Sequence, residues 1–307
     1  MSKILITGYS GFIGSRLAQV LKGYGEEILG ISSKFRNSNK EIIACDLITD
    51  ELKESYFEGV SVVIHLAAYA HDTKYGDNKI SLCQKLNIDA TIKLAKFSEK
   101  MNVGHFIFIS SVKAGSPNIN NYSDYIKSEP QGIYGVSKRK AEEALQSISS
   151  KSNMKIDIIR PALVYGPNMK GNLAKMYKAI EKGWFPPIPF IKNRRSMVHI
   201  DNLVNFIIKI ARSRNKSSKI YVITDEREYS TREIYEVFCI ISNRKIPKWG
   251  SPLFLFKIMS IFSNRLQEKF NKLFGDEYYV RTSSTDIGYQ LKLNLKDILN
   301  DIKLKDA

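Results

Sequence analysis

Cysteine is scarce and unpaired in this chain. Its three cysteines, Cys45, Cys83 and Cys239, stand far apart and none has metal-ligand spacing. That pattern excludes a disulfide framework, points to no structural metal and suits a reducing compartment. No apolar run reaches the about 18 residues that a membrane span needs. The strand-like "KILITG" begins almost at Met1 and leaves no room for the charged leader and apolar core of a signal peptide. The expectation is a cytoplasmic protein without a transmembrane segment.

Acid is also in short supply, with 31 Asp and Glu against 47 Lys and Arg and a net charge of +16. Such an excess raises the question of a nucleic-acid or membrane surface. The basic residues are scattered, however. Short clusters such as "SKRK" (137–140) and "KNRR" (192–195) sit inside structured segments, and no basic stripe interleaved with aromatics occurs. A Lys-, Ile- and Asn-rich composition accounts for much of the excess. No nucleic-acid partner is expected, and a small phosphate-bearing ligand fits the charge.

What is present is an alternation of strand-like and helix-like segments over the first 165 residues, the pattern of a parallel sheet covered by helices on both faces. Strands are read at 3–8, 60–68, 105–111 and 155–161, and helices at 12–25, 85–101 and 134–149. A helix at 201–214 and a strand at 220–224 extend the pattern. The expected fold class is α/β, a Rossmann-type doubly wound parallel sheet with a smaller C-terminal substrate-binding region. Residues 1–165 form the dinucleotide-binding part, to which 195–224 return; 166–194 and 225–307 form the substrate region. The segment 251–274 has apolar positions at 255, 258, 259, 262, 266, 270 and 273 with helical period. It reads as a helix packed in a core or lid, with an amphipathic membrane-surface helix as the alternative.

Between the first strand and helix lies "TGYSGFIG", which carries Gly8, Gly11 and Gly14. Glycines there let the backbone turn tightly and approach a pyrophosphate, whose charge rests on amides at the helix N-terminus. Ser10, Phe12 and Ile13 complete this candidate cradle. Further on, Tyr134 and Lys138 in "YGVSK" stand four apart, on one helical face. An ammonium near a phenol favours the phenolate, so this spacing predicts a Tyr pKa lowered from about 10 and a Tyr able to exchange a proton with a substrate oxygen. Ser110 and Ser111 end the strand "HFIFISS" at the sheet edge where ligands bind. Ser111 there can hydrogen-bond the same oxygen.

One acid is missing where it matters. The stretch "EEILGISSKFRN" (26–37) ends a second strand, where a carboxylate would hold the ribose 2′-OH of NAD; it offers Ser32, Ser33, Lys34 and Arg36 instead. These residues suit a 2′-phosphate, so NADP(H) is favoured and NAD(H) remains possible. The other reading is a polar turn, with NAD held by other contacts.

With these motifs the chain resembles the extended short-chain dehydrogenase/reductases, and within them the nucleotide-sugar epimerases, dehydratases and 4-ketoreductases. The likeness runs through "TGYSGFIG", "DL" (46–47), "VIHLAA" (63–68), "LNIDAT" (86–91), "FISS" (108–111), "YGVSK", "RPALVYGP" (160–167) and "RRSMVHIDNL" (194–203). It implies that Asp46 and Leu47 flank the adenine, that Leu66, Ala67 and Ala68 line the cofactor path, and that Asn87 sits near the bound cofactor. Ser111, Tyr134 and Lys138 would be catalytic, Lys138 also holding the nicotinamide ribose. Asn172 and Arg195 match positions that contact the nucleotide-sugar diphosphate, with Arg194 and Lys192 adding to the field. A UDP-sugar substrate and a homodimer through helices 85–101 and 134–149 follow from the same likeness.

Similar dehydratases follow the active-site Ser or Thr with an Asp-Glu pair, whereas Val112 and Lys113 stand here, which argues against dehydration. The leading expectation is an NADPH-dependent 4-ketoreductase acting on a UDP-4-keto-6-deoxy-N-acetylhexosamine, making UDP-N-acetylquinovosamine or UDP-N-acetylfucosamine for surface polysaccharide. The alternative is an NAD-dependent UDP-hexose or UDP-HexNAc 4-epimerase. Leu163 stands where similar epimerases carry a polar Asn. A non-catalytic dinucleotide sensor is the alternative of another class, and retention of Ser111, Tyr134 and Lys138 speaks against it.

Overall fold

The computed structural model describes residues 3–35, 38, 40–69, 78–261, 263–282, 288 and 291–298. The first half alternates strand and helix: β1 (Lys3–Thr7), α1 (Phe12–Gly23), β2 (Ile28–Ser32), β3 (Ile42–Ala44) and β4 (Val60–His65). Next come α2 (Asn78–Leu82), a π-helical turn at Cys83–Asp89, α3 (Ala90–Lys100), β5 (His105–Ile109), α4 (Tyr122–Lys127), α5 (Gly132–Ser149) and β6 (Lys155–Pro161). The second half holds β7 (Leu163–Tyr165), α6 (Gly171–Glu181), β8 (Met197–His199), α7 (Ile200–Ala211), β9 (Ile220–Ile223), α8 (Thr231–Ile241), α9 (Leu253–Ile261) and α10 (Asn264–Phe274).

Seven strands form one parallel sheet in the order β3-β2-β1-β4-β5-β6-β9. Their residues are almost all buried, as a sheet covered on both faces requires. One face packs Ile4, Ile6, Ile64 and Ile107 against Leu17 and Leu21 of α1 and Leu203 and Phe206 of α7. The other packs Leu5, Val63, Phe106 and Phe108 against Leu94 of α3 and Ala141 and Leu145 of α5. The α/β doubly wound fold expected from the strand–helix alternation is therefore present. Strand order reverses between β1 and β4, and the crevice beyond their carboxyl ends is where such sheets bind ligands.

The region after β6 has its own core, in which Tyr165, Leu173, Met176 and Met197 meet Tyr229, Ile234 and Phe238. It is tied to the sheet through Asp225, which lies just beyond β9. The Asp225 carboxylate accepts hydrogen bonds from the hydroxyls of Tyr165 (2.5 Å) and Tyr229 (3.0 Å), the amide of His199 (3.0 Å) and the side chain of Asn202 (2.9 Å).

Two expectations need correction. The segment read as one helix over 251–274 is two, α9 and α10, parted after Ile261. Phe256 of α9 meets Phe274 of α10 with ring centroids 5.0 Å apart, so the pair folds back on itself. Of the apolar positions read as packed, Ile258 is exposed, Leu266, Phe270 and Leu273 are half-buried with Leu273 against the second core, and the side chains at 255, 259 and 262 lie outside the described residues. The helix read from residue 85 begins instead as the wider π turn, and regular α geometry starts at Ala90.

Candidate active site

A cleft of about 1250 Å³ runs along the carboxyl edge of the sheet, from the β1–α1 turn to the second core. Gly8 opens the turn with φ +68, a left-handed conformation that glycine adopts freely. Gly11 donates back to the Gly8 carbonyl at 2.8 Å, and a Cβ on Gly14 would lie 2.3 Å from that same oxygen. The turn is thus closed to larger residues at its base. Gly11 caps α1 without a side-chain hydrogen bond, which leaves first-turn amides for an anion. This cradle fits a dinucleotide pyrophosphate. Ser10, Phe12 and Ile13 line the cleft beside it.

Ser32, Ser33 and Lys34 line the cleft at the end of β2. The Ser32 hydroxyl is already engaged, lying 2.8 Å from the Ser10 hydroxyl and accepting from the Lys34 amide. Arg36 lies outside the described residues. Asp46 and Leu47 form the cleft wall after β3, and Leu66, Ala67 and Ala68 the wall after β4. Asn87 does not line the cleft. Its side chain is buried behind the wall, accepting from the Tyr69 amide and donating to the Tyr69 carbonyl and the Ser137 hydroxyl. It braces α5 against the strand-end loop; its neighbour Leu86 faces the cleft.

Ser111, Tyr134 and Lys138 come together on one wall. Ser111 follows β5 and accepts from the Lys113 amide at 3.2 Å, which fixes its hydroxyl at the strand end. Tyr134 sits in the first turn of α5, near enough to the Ser111 side chain for that hydroxyl to act on the phenol. Gly135 permits this approach: a Cβ there would lie 2.1 Å from the Lys113 carbonyl oxygen.

Lys138 reaches under the wall, donates to the Ile109 carbonyl at 2.9 Å and lies 4.4 Å from the Phe108 ring centre. Burial pushes its pKa down to about 7, against the raising field of Glu142. Tyr134 is pushed up to about 12, again by burial, against the lowering hydrogen bond from Ser111. The expectation of a Tyr pKa lowered by Lys138 is therefore corrected. Both groups lose water on the same wall, and the lysine spends a donor on the backbone, 6.0 Å from the Tyr134 ring centre.

Beneath this wall lies a buried network that the sequence reading missed. Glu142 accepts from the Ser110 hydroxyl (2.5 Å) and, through two bonds of 2.9 and 2.5 Å, from the Arg160 guanidinium. Glu142 is one turn beyond Lys138 on α5, which was the available signal. On the β4 side, His65 is held between the hydroxyls of Thr7 (2.6 Å) and Thr91 (2.9 Å), and burial drives its pKa down to about 3.

In the outer half of the cleft, Asn172 lines the wall at the start of α6 with Lys170 and Lys175. Arg195 also lines it, but its guanidinium is paired: it donates to Glu277 at 2.9 Å and to the Lys272 carbonyl at 2.5 Å. Arg194 and Lys192 do not line the cleft; Arg194 pairs with Glu228 and stacks 3.7 Å from the Tyr278 ring centre. Gln131, Phe185, Thr231 and Tyr279 line the cleft without having been foreseen. The lining carries Lys34, Lys113, Lys138, Lys170, Lys175, Arg195 and Lys272 against Asp46, Asp276 and Glu277, a balance that suits an anionic ligand.

Residues 4–224 match the family model described as the NAD dependent epimerase/dehydratase family. This chain belongs to that family. Among its relatives is a UDP-glucose 4-epimerase of Vibrio cholerae, 30% identical over 285 residues, which cover 89% of this chain and 82% of the relative. Another is the N-acetyl-alpha-D-glucosaminyl-diphospho-ditrans,octacis-undecaprenol 4-epimerase of Escherichia coli O157:H7, 27% identical over 81% of this chain and 75% of the relative. Two solved structures share the fold with TM-scores of 0.77. One is a Thermotoga maritima UDP-glucose 4-epimerase with UDP-glucose (19% identity, 99% and 100% coverage), the other MoeE5 with UDP-glucuronic acid and NAD (19% identity, full coverage of both chains). The protein is an enzyme of this family, and the family uses a nicotinamide dinucleotide.

Proposed function

We propose that this enzyme moves hydride and proton at C4 of a sugar carried on a diphosphate, and that the reaction is 4-epimerisation of a UDP-hexose or UDP-N-acetylhexosamine. The observation that carries the reading is the Tyr134–Ser111 pair on the cleft wall, with Lys138 buried beneath it. The 4-epimerase relatives support the same reaction.

In this reading Gly8, Gly11 and the first-turn amides of α1 hold the pyrophosphate of the cofactor. The chemistry a nicotinamide would supply there is acceptance of hydride from the sugar carbon and its return. Ser111 orients the C4 oxygen. Tyr134 would accept the hydroxyl proton in its phenolate form as the carbonyl forms and give it back as the alcohol is restored, so the charge of Lys138 and of the bound cofactor must first draw the phenol proton away. Lys138, four residues on, supplies positive charge beneath the phenol. Asn172, Lys170 and Lys175 at the start of α6 take the substrate diphosphate, and Arg195 joins them only by loosening its bond to Glu277.

A second reading is the 4-ketoreductase acting on a UDP-4-keto-6-deoxy-N-acetylhexosamine. The exposed edge of β2 favours it, since Ser33 and Lys34 meet the cleft without a carboxylate between them. The test is the cofactor balance. Purified enzyme that interconverts C4 epimers with no added reductant supports epimerisation; turnover that requires stoichiometric NADPH supports reduction.

A further inference from the structure

The substrate region carries a surface that the chemistry above leaves unused. Trp184, Phe190, Trp249, Phe254, Ile258 and Ile261 are between 48% and 82% exposed. They belong to one neighbourhood. The Ser251 amide donates to the Pro187 carbonyl at 3.1 Å, Arg232 donates to the carbonyls of Ile188 and Pro247, and Arg244 donates to the Glu181 carbonyl. Phe254, Ile258 and Ile261 follow i, i+4, i+7 spacing, so these three share one outward face of α9. Exposed apolar surface of this extent marks a contact face.

Charge says what the contact is. Residues 182–192 and 244–261 hold six Lys and Arg and no Asp or Glu, and all six basic residues are exposed. Apolar and tryptophan side chains ringed by cations suit the interfacial layer of an anionic bilayer, where rings enter the headgroup boundary and lysines meet lipid phosphates. A protein partner would equally bury the rings but gives no reason for two stretches that together carry six Lys and Arg to hold no Asp or Glu. No helix among the described residues is long and apolar enough to cross a membrane.

We propose that this face seats the enzyme on an anionic membrane surface. Phe185, next to Trp184, lines the cleft, as does Leu273 of α10, against which α9 packs. Docking thus brings the outer half of the cleft to headgroup level, where a sugar diphosphate carried on a membrane lipid can reach it. That consequence for substrate rests on the C4 reading above, whereas the docking does not.

The test is flotation of the full-length enzyme with phosphatidylcholine vesicles, with and without phosphatidylglycerol, at low and high salt. The wild type is expected to float with the phosphatidylglycerol vesicles and to be released by salt. Two variants, Trp249→Ser/Ile258→Ser and Lys245→Glu/Lys248→Glu, are each expected to lower the bound fraction about tenfold or more. Their circular dichroism and their turnover of UDP-N-acetylglucosamine are expected to be unchanged. A wild type that stays with the free protein, binds neutral vesicles equally well, or is matched by both variants overturns the proposal. So does a Trp249→Ser/Ile258→Ser variant that falls from dimer to monomer, because the face is then a self-contact. Failure of the C4 reading shows separately, as absent turnover in an enzyme that still floats.

Discussion

Lys138 donates its hydrogen bond to the Ile109 carbonyl at 2.9 Å, and its ammonium stands 6.0 Å from the centre of the Tyr134 ring. The two residues share a helix face but not a bond. Burial therefore acts on each separately, lifting the phenol to about 12 and lowering the ammonium to about 7. Proton exchange at Tyr134 depends on what substrate and cofactor add to this wall. Several consequences can be measured.

Tyr134→Phe removes the only atom of this side chain able to exchange a proton. We expect kcat to fall at least about 10²-fold, the usual range for losing a general acid–base group. Cofactor affinity, followed by fluorescence titration, should change little. Activity close to wild type would remove Tyr134 from its role.

Glu142→Gln tests the buried network. Glu142 raises the Lys138 pKa, so its neutralisation lets the ammonium lose its proton at lower pH. Where the cationic form is the working one, the alkaline limb of the kcat profile should move to lower pH. The Arg160 charge also loses its counter-ion, and a broken buried pair costs about 3–5 kcal/mol, so the melting temperature should drop. An unmoved limb with a lowered melting temperature would leave Glu142 a purely structural role.

His65 sets an acid limit on the fold. Its pKa falls from 6.5 in the unfolded chain to about 3 in the folded protein. Between those values the unfolded state binds the extra proton, so stability rises with pH across that window and is lost as pH falls through it. His65→Gln should flatten the dependence of melting temperature on pH between about 4 and 6.5. A slope equal to the wild type would assign the acid sensitivity elsewhere.

Gly135→Ala places a methyl 2.1 Å from the Lys113 carbonyl oxygen, so α5 must back away from the Ser111 loop. Displacing a reacting group by about 1 Å costs up to about 10²-fold in rate. The expected result is a fall in kcat with KM little changed. A fall in melting temperature alone would show that the helix shifts without carrying Tyr134.

What the sequence disclosed follows from how local each feature is. The glycine turn, the buried strands and the Ser111, Tyr134, Lys138 set are short-range patterns, and all of them meet at the cleft. Features that depend on distant partners were hidden. Arg195 pairs with Glu277, 82 residues away, and Glu142 with Arg160 from the next strand. The break between α9 and α10 was masked because the apolar period continues across it, and the Phe256–Phe274 contact reveals the reversal. The direction of the Tyr134 shift was misread because spacing along a helix reports proximity, not the loss of water around both groups.

The most direct test of the account is incubation of the purified enzyme with UDP-N-acetylglucosamine, without added reductant, beside Tyr134→Phe. Products are separated by chromatography and assigned at C4 by proton coupling constants. The wild type is expected to approach a mixture with UDP-N-acetylgalactosamine and the variant to form none. No C4 epimer from the wild type, even with NAD supplied and with UDP-glucose tried in parallel, would contradict it.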